Sequence, residues 1–389
     1  MIELYIITFG LIKSFGTVPV DILGVIASLF FFVSLVSQSN NKSILYVLVI
    51  FTNSTYCILM VNLAIILIFI VNNIKKGLIN KSFFVVILML IVLLVQTILN
   101  YNSFYDALRW GIISISWCLV FCLPLIKDSS FEKQLPLLFI VMVISNFIYI
   151  SVFSSNTRLS IFAGSENIAL IIFSILSAML IYLRKWYLLT LLVLFFAMSD
   201  SRTLLILPIV FVINYLLIKR RLQVSHFIGI FIFLVPLIMF TLSQPESRAY
   251  RVIDNIVSLS ESNELSDLEK VDSRGYLIVE GVNKISEKPL LGNGVINPDF
   301  FKIYDPSVTM ATYHNSVIDI LVTYGFIGAL VFFYMIFMVI KHIRKYYDDT
   351  FAIVLVSCLS LSVIQPYIFN MQVMSLIFSM SLLLKNREE

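Results

Sequence analysis

Charge is what this sequence has least of. Only 13% of its 389 residues are Asp, Glu, Lys or Arg, where a soluble domain carries about a quarter. Histidine occurs three times, at the scattered positions His226, His314 and His342. With no HExxH, no DxD-type carboxylate pair and no Cys/His cluster, metal-dependent classes drop from the front rank, and no metal or other cofactor is expected. No glycine-rich loop with a phosphate-binding lysine occurs, which argues against nucleotide hydrolysis. The four cysteines, Cys57, Cys118, Cys122 and Cys358, all lie in apolar runs, so no disulfide is expected. Cys118 and Cys122 are four apart, with no histidine or carboxylate near them, and read as packing residues. The N-terminus lacks a basic start and a small-residue cleavage site, so no removable leader is expected. Nor is there an internal repeat or a low-complexity tract. The net charge of +4 points to no particular partner, and nucleic acid is not expected.

Apolar length is what the chain has instead. Sixty per cent of it is hydrophobic, in runs at about 20–37, 44–72, 83–99, 108–126, 136–153, 168–183, 187–198, 203–218, 226–242, 315–340, 351–368 and 371–384. A spanning helix needs roughly 20 apolar residues, and these runs do not alternate as barrel strands would. The expectation is an all-α polytopic transmembrane bundle of about twelve spans. The segment 2–12 is apolar but short, and reads as an interfacial piece or an extension of the first span.

The short loops fall into two sets. One holds Lys75, Lys76 and Lys81; Lys127 and Lys133; Arg184 and Lys185; Lys219, Arg220 and Arg221; Lys341, Arg344 and Lys345; and Lys385 and Arg387. The other has the single residues Lys42, Arg109, Arg158 and Arg202. Basic loops face the cytoplasm, so both termini are expected there. Residues 1–242 then form a first bundle of about nine spans. A polar loop over 243–312 lies on the outer face, and 313–389 return to the membrane, all in one integrated domain.

The loop is patterned. Ser266-Asp-Leu-Glu269 has capping-box spacing. Apolar or small residues at 268, 271, 275, 278, 282 and 285 predict a helix, stopped by Pro289 and followed by a tight turn over Leu290–Gly294. A shorter amphipathic helix is expected over 248–257. From 244 to 312 the loop has eleven acidic and seven basic residues, so any anion it binds must be held by a few placed arginines.

Ionisable groups at a membrane edge are functional candidates, because their burial costs free energy unless they are solvated or paired. Four places qualify. Asp200 and Arg202 interrupt the apolar run 187–218, either as a solvated hairpin turn or as an anion-binding arginine. Arg274 lies in the loop helix, on a solvated face or at a site; Glu280 and Glu287 read as surface charges. His314, where the loop meets an apolar run, is either a polar cap or a general base near neutral pH. In the stretch from Arg158 to Leu170, Ser165, Glu166 and Asn167 stand at a helix start, where capping alone would explain them.

Taken in order, these stretches resemble the O-antigen polymerase and O-antigen ligase superfamily of bacterial inner-membrane glycosyltransferases. The resemblance rests on four features. They are Ser201-Arg202-Thr203 opening a span, Arg274 followed by Glu287-x-Pro289-Leu290-Leu291-Gly292-x-Gly294, His314-Asn315 followed by Tyr324-Gly325-x-x-Gly328, and Asn167 entering a span. It implies a GT-C-like bundle with a periplasmic loop. The implied donor is an undecaprenyl-diphosphate-linked glycan, transferred without a metal at the outer face of the cytoplasmic membrane. On that resemblance Arg202 and Arg274 would hold the diphosphate and His314 would be the catalytic base, with Asn315, Asn167, Arg158 and Asp200 in support. Gly325 and Gly328 would let a neighbouring helix pack closely. Membrane lipids and a chain-length regulator protein are the other partners implied. The expected activity is polymerisation of O-antigen or capsular repeat units. Ligation to lipid A core, transfer to protein, and, from another class, a polysaccharide-lipid flippase are the alternatives. A flippase would show repeat symmetry and mid-membrane charges, whereas these candidates gather at one face.

Overall fold

The computed structural model describes residues 2–15, 19–37, 39–76, 81–101, 104–153, 166–191, 203–219, 275–295 and 312–384. Regular structure among them is helical throughout. In chain order the α-helices are α1 (Ile2–Phe15), α2 (Val20–Val36), α3 (Lys42–Phe51), α4 (Thr55–Lys76), α5 (Lys81–Leu99), α6 (Phe104–Cys122) and α7 (Phe131–Phe153). Then come α8 (Glu166–Tyr182), α9 (Thr203–Lys219), α10 (Gly275–Glu287), α11 (Ser316–Tyr346), α12 (Asp349–Leu361) and α13 (Met371–Ser379). Among the described residues five segments are long and apolar enough to cross a membrane: Thr55–Asn73, Lys81–Leu99, Asp106–Ile126, Phe131–Val152 and Ser316–Tyr346. The chain is an all-α, multi-pass membrane bundle. The expected span 226–242, most of 187–198, the capping box at 266–269 and the short helix over 248–257 lie outside the described residues.

Its centre is α6. Trp117 is fully buried and meets Phe332 of α11 and Phe378 of α13 edge-on, with centroids at 6.2 and 5.6 Å. Such pairs add to the area the rings bury. α5 runs along α11, and α9 along α12.

Two runs that read as single spans are broken. Residues 44–72 are α3 and α4, separated at Thr52-Asn53-Ser54, with Asn53 at φ 61°. The two helices fold back on each other, because Tyr46 Oη donates to Asn62 Oδ1 at 2.9 Å. On one continuous helix those residues would lie about 24 Å apart. Polar groups freed by the break find partners: Lys13 Nζ donates to the Thr52 carbonyl and Gln372 Nε2 to that of Ile50, each at 3.0 Å. This hairpin corrects the expected sidedness of Lys42. The Ser43 N–H donates to Asp128 at 2.8 Å, and its hydroxyl to the Ile126 carbonyl at 2.9 Å. Lys42 therefore lies at the same end of the bundle as Lys127 and Lys133. Apolar length hid a three-residue turn whose Thr, Asn and Ser are ordinary turn formers.

The second broken run is 351–368, helical only to Leu361. Residues 362–370 are irregular apart from a 3-10 turn at Tyr367–Phe369. Pro366 has no N–H to continue a helix and disfavours helical backbone at Gln365.

Of the expected loop helix, the part over 275–287 is present as α10, and it ends before Pro289. Its docking face keeps the expected stripe at Ile285, which packs against the small core formed with α11, and departs from it at Val282. Val282 is 55% exposed, while Leu277 and Gly281 are buried. Leu277 packs with Val295, Tyr313, Ile318 and Val322 in a small core between the loop and α11. A Cβ at Gly281 would lie 3.1 Å from the Tyr313 ring, so the glycine sets the approach, and counting apolar positions missed it.

Candidate active site

The joint between loop and membrane is made of backbone. α11 kinks at Gly325, whose φ of 63° and ψ of −172° are non-helical. A kink strands carbonyls before it and N–H groups after it. The turn 289–294 takes up both. Phe326 N–H donates to the Pro289 carbonyl at 2.8 Å and Ile327 N–H to that of Leu290 at 3.2 Å. In return Asn293 N–H donates to the Val322 carbonyl at 2.6 Å and Gly294 N–H to that of Thr323 at 3.3 Å. Gly292 and Gly325 meet where the two backbones touch. A Cβ on Gly292 would lie 2.6 Å from the Gly325 nitrogen, and one on Gly325 2.5 Å from the Leu290 carbonyl oxygen. From α5, Gln96 Nε2 donates to the Leu291 carbonyl at 3.0 Å and also to that of Tyr324. Close helix packing was expected of both glycines of Tyr324-Gly325-x-x-Gly328. It holds for Gly328, which faces Gln96; Gly325 serves the kink and the turn.

Above the kink, Asp319 organises the first turn of α11. It is 1% exposed, accepts the Tyr313 N–H at 2.9 Å and the Thr312 hydroxyl at 2.8 Å, and faces Arg109 Nη2 at 3.6 Å. A carboxylate in the first turn of a helix is also favoured by the helix dipole. Thr312 Oγ1 in turn accepts the His314 N–H at 3.1 Å. His314 sits at φ 55°, a left-handed conformation that costs about 1–3 kcal/mol and is held by its surroundings. The helix cap is Asn315, whose Oδ1 accepts from the N–H groups of Val317 and Ile318 at 2.9 and 3.2 Å. That leaves the His314 ring outside the capping role. Tyr313 is no rival base: burial first, then Glu280 and Asp319, push its hydroxyl far above the usual range, so it stays protonated.

Arg109 comes from α6, inside a candidate span and 6% exposed. Its guanidinium lies 4.1 Å from the centre of the Phe369 ring, a cation–π geometry. Three residues earlier on the same face, Asp106 accepts the Val295 N–H. One turn of α6 thus fixes both the end of the 289–295 turn and the start of α11.

A cavity of about 150 Å³ opens at this point. Arg109, Thr312 and His314 form one wall, and Gln365, Phe369 and Asn370 another. Asn167, at the start of α8, reaches the second wall, donating to Gln365 Oε1 at 3.5 Å. Of the residues singled out from sequence, His314, Asn315 and Asn167 thus come together. Arg158, Asp200, Arg202 and Arg274 lie outside the described residues. Among the described residues no three His, Cys, Asp or Glu side chains gather to hold a metal ion.

Sequence reasoning missed Asp319, Gln365 and Asn370, and took Arg109 for a loop residue. A signal existed for two of them. Arg109 and Asp319 are opposite charges inside apolar runs, and an intramembrane ionisable residue with a complementary partner is a site candidate by default.

Residues 186–333 match the family model described as O-antigen ligase (Wzy_C). That stretch includes Arg202, Arg274, His314 and Asp319, and stops short of Gln365 and Asn370. No curated protein and no solved structure matches the chain.

Proposed function

We propose that this protein transfers glycan from an undecaprenyl-diphosphate-linked donor to an acceptor hydroxyl at the outer face of the bacterial cytoplasmic membrane, polymerising repeat units of O-antigen or capsule. The observation that carries this reading is the match to the O-antigen ligase model over 186–333, which brackets Arg202, Arg274 and His314. The geometry supports it, because His314 lines a cavity with Arg109, Thr312, Gln365 and Asn370 at the start of a membrane helix.

The step follows from the groups present. The acceptor hydroxyl oxygen attacks the donor's anomeric carbon and forms the new glycosidic bond. The bond from that carbon to the diphosphate oxygen breaks, and its electron pair leaves with the lipid diphosphate. The hydroxyl proton passes to a ring nitrogen of His314. Arg202 and Arg274 stabilise the charge gathering on the diphosphate through forked, charge-assisted hydrogen bonds. Asp319 and Thr312 hold the His314 backbone, so the ring is placed before substrate arrives.

Depth also fits. α12 has 13 residues, or about 20 Å, against about 30 Å of hydrocarbon. Its outer end, the irregular segment 362–370, then lies below the outer surface. Irregular backbone at such depth is tolerated where it is buried in protein, and this segment is buried at Ser362 and over Tyr367–Phe369. A lipid-linked sugar would meet the site within the headgroup layer, its tail left among the helices.

Ligation is the second reading, favoured by the description of the matching family. Deleting the gene and resolving surface and lipid-linked glycans on a gel separates the two. A surface carrying single repeat units without a ladder means polymerase; long chains stranded on the carrier mean ligase. An unchanged profile sinks both. In the purified protein His314→Ala should abolish transfer while lipid-linked substrate still binds, and near-normal polymer from that variant would remove the base role.

A further inference from the structure

Resting on the glycosyl-transfer reading of this site, we infer that the cavity beside His314 is the acceptor-sugar subsite. It takes one neutral, hydroxyl-rich ring, and Gln365 and Asn370 determine which ring is accepted. Size sets the first limit. About 150 Å³ is the size of a cavity that holds one benzene ring, room for a single sugar ring and too little for an isoprenoid tail. Charge sets the second. Arg109 faces Asp319 at 3.6 Å, so the one Lys or Arg among the described residues of the wall is balanced and an anion gains little by replacing water there.

The donors left over give the chemistry. Gln365 Oε1 accepts from Asn167, and Asn370 Oδ1 caps α13 by accepting the Val373 N–H at 2.9 Å. Both carboxamides thus commit their oxygen to the protein and keep two N–H donors each for a ligand. Arg109 Nη2 is buried without a hydrogen-bond acceptor among the described residues. Ring and hydroxyl oxygens of a sugar are the acceptors these donors lack. His314 identifies which sugar. A base must reach the hydroxyl it deprotonates, and that hydroxyl belongs to the acceptor. The selecting wall, 365–370, lies beyond the family-matched stretch, so acceptor choice can change there with the residues of that stretch left in place.

The test uses the full-length protein in nanodiscs. Its probe is the repeat-unit oligosaccharide released by mild acid from lipid-linked glycan of the source cells. Gln365→Glu and Asn370→Asp keep the oxygen that serves the protein and remove the N–H donors; Gln365→Met removes the donors without adding charge but also loses the oxygen that Asn167 bonds. Each variant is first shown to be monodisperse with an unaltered melting profile. The oligosaccharide's Kd by equilibrium dialysis, and its KM with lipid-linked donor, should rise roughly five- to tenfold in each variant, the fall in kcat being smaller. Excess pyrophosphate should not displace it. Unchanged Kd and KM in all three variants, or displacement by pyrophosphate, overturns the subsite and leaves glycosyl transfer standing. Donor-dependent binding in a wild-type protein that transfers nothing supports the sugar site and overturns the enzymatic reading beneath it.

Discussion

Two clusters of buried polar side chains lie inside this bundle, and they differ in what they leave over. In the first, Tyr46 donates to Asn62, whose Nδ2 donates to Ser375 Oγ at 2.8 Å, while Lys13 and Gln372 hold the carbonyls freed by the α3–α4 break. Its bonds join helix to helix. The second, around Asp319, includes an ion pair, a left-handed histidine, a guanidinium nitrogen without a hydrogen bond and an adjoining cavity. Polarity within a membrane therefore does not by itself mark a site. In the first cluster hydrogen bonds act as glue between helices. In the second, donors are held beside a cavity with no hydrogen-bond acceptor among the described residues, the arrangement expected where a ligand completes the set.

The largest effect that would sharpen this contrast is Asp319→Ala. It leaves Arg109 buried without its counter-charge and frees the Thr312 and Tyr313 donors. Removing one partner of a buried pair costs about 3–5 kcal/mol, read as a fall in unfolding midpoint in detergent, and transfer should be lost. Adding Arg109→Met to that variant removes the stranded charge and should restore part of the stability without restoring transfer. A double variant no more stable than Asp319→Ala would show that the pair is not coupled.

Gly325→Ala comes next. The new Cβ meets the Leu290 backbone, which has no side chain to swing aside, at a φ of 63°. A loss of about 2–3 kcal/mol is expected. Because the kink places His314, kcat should fall further than donor affinity. Gly328→Ala is the control on the same helix. Its Cβ would meet the Gln96 amide and, at 2.5 Å, the Tyr324 Cβ, but without a left-handed φ, so a smaller loss, about 1–2 kcal/mol, is expected. Equal losses at the two glycines would mean that both serve packing alone.

The sequence made part of this legible. Long apolar runs gave the helical bundle, because membrane burial demands length and internally satisfied backbone. The motif at 287–294 and the pair Gly325 and Gly328 were visible as separate signals. Their interlock was not, since a kink satisfied by another segment's carbonyls leaves no trace in spacing. Hydrophobic length also misread 44–72 as one span, because three turn residues hardly change a mean over that window. Arg109 looked like a loop residue for the opposite reason: a cation near the end of an apolar run resembles a solvated edge until Asp319, far along the chain, is placed beside it. Gln365 and Asn370 carried no signal, being uncharged residues next to Pro366 and a helix start. Only the fold brings them to His314.

The smallest effect tests the other half of the comparison. Tyr46→Phe removes one hydroxyl and leaves Asn62 Oδ1 without the donor it has at 2.9 Å. A buried acceptor left unpaired costs about 1–3 kcal/mol, and here the low end is expected because the ring still fills its place. The midpoint of unfolding should drop slightly, while KM and kcat for glycan transfer stay within a factor of two. That result would keep the α3–α4 cluster as glue between helices. A fall in kcat at unchanged stability would mean that this cluster is coupled to His314. The hairpin would then belong to the working part of the molecule, with its lysine and broken helix near mid-bundle, as a transport mechanism would require.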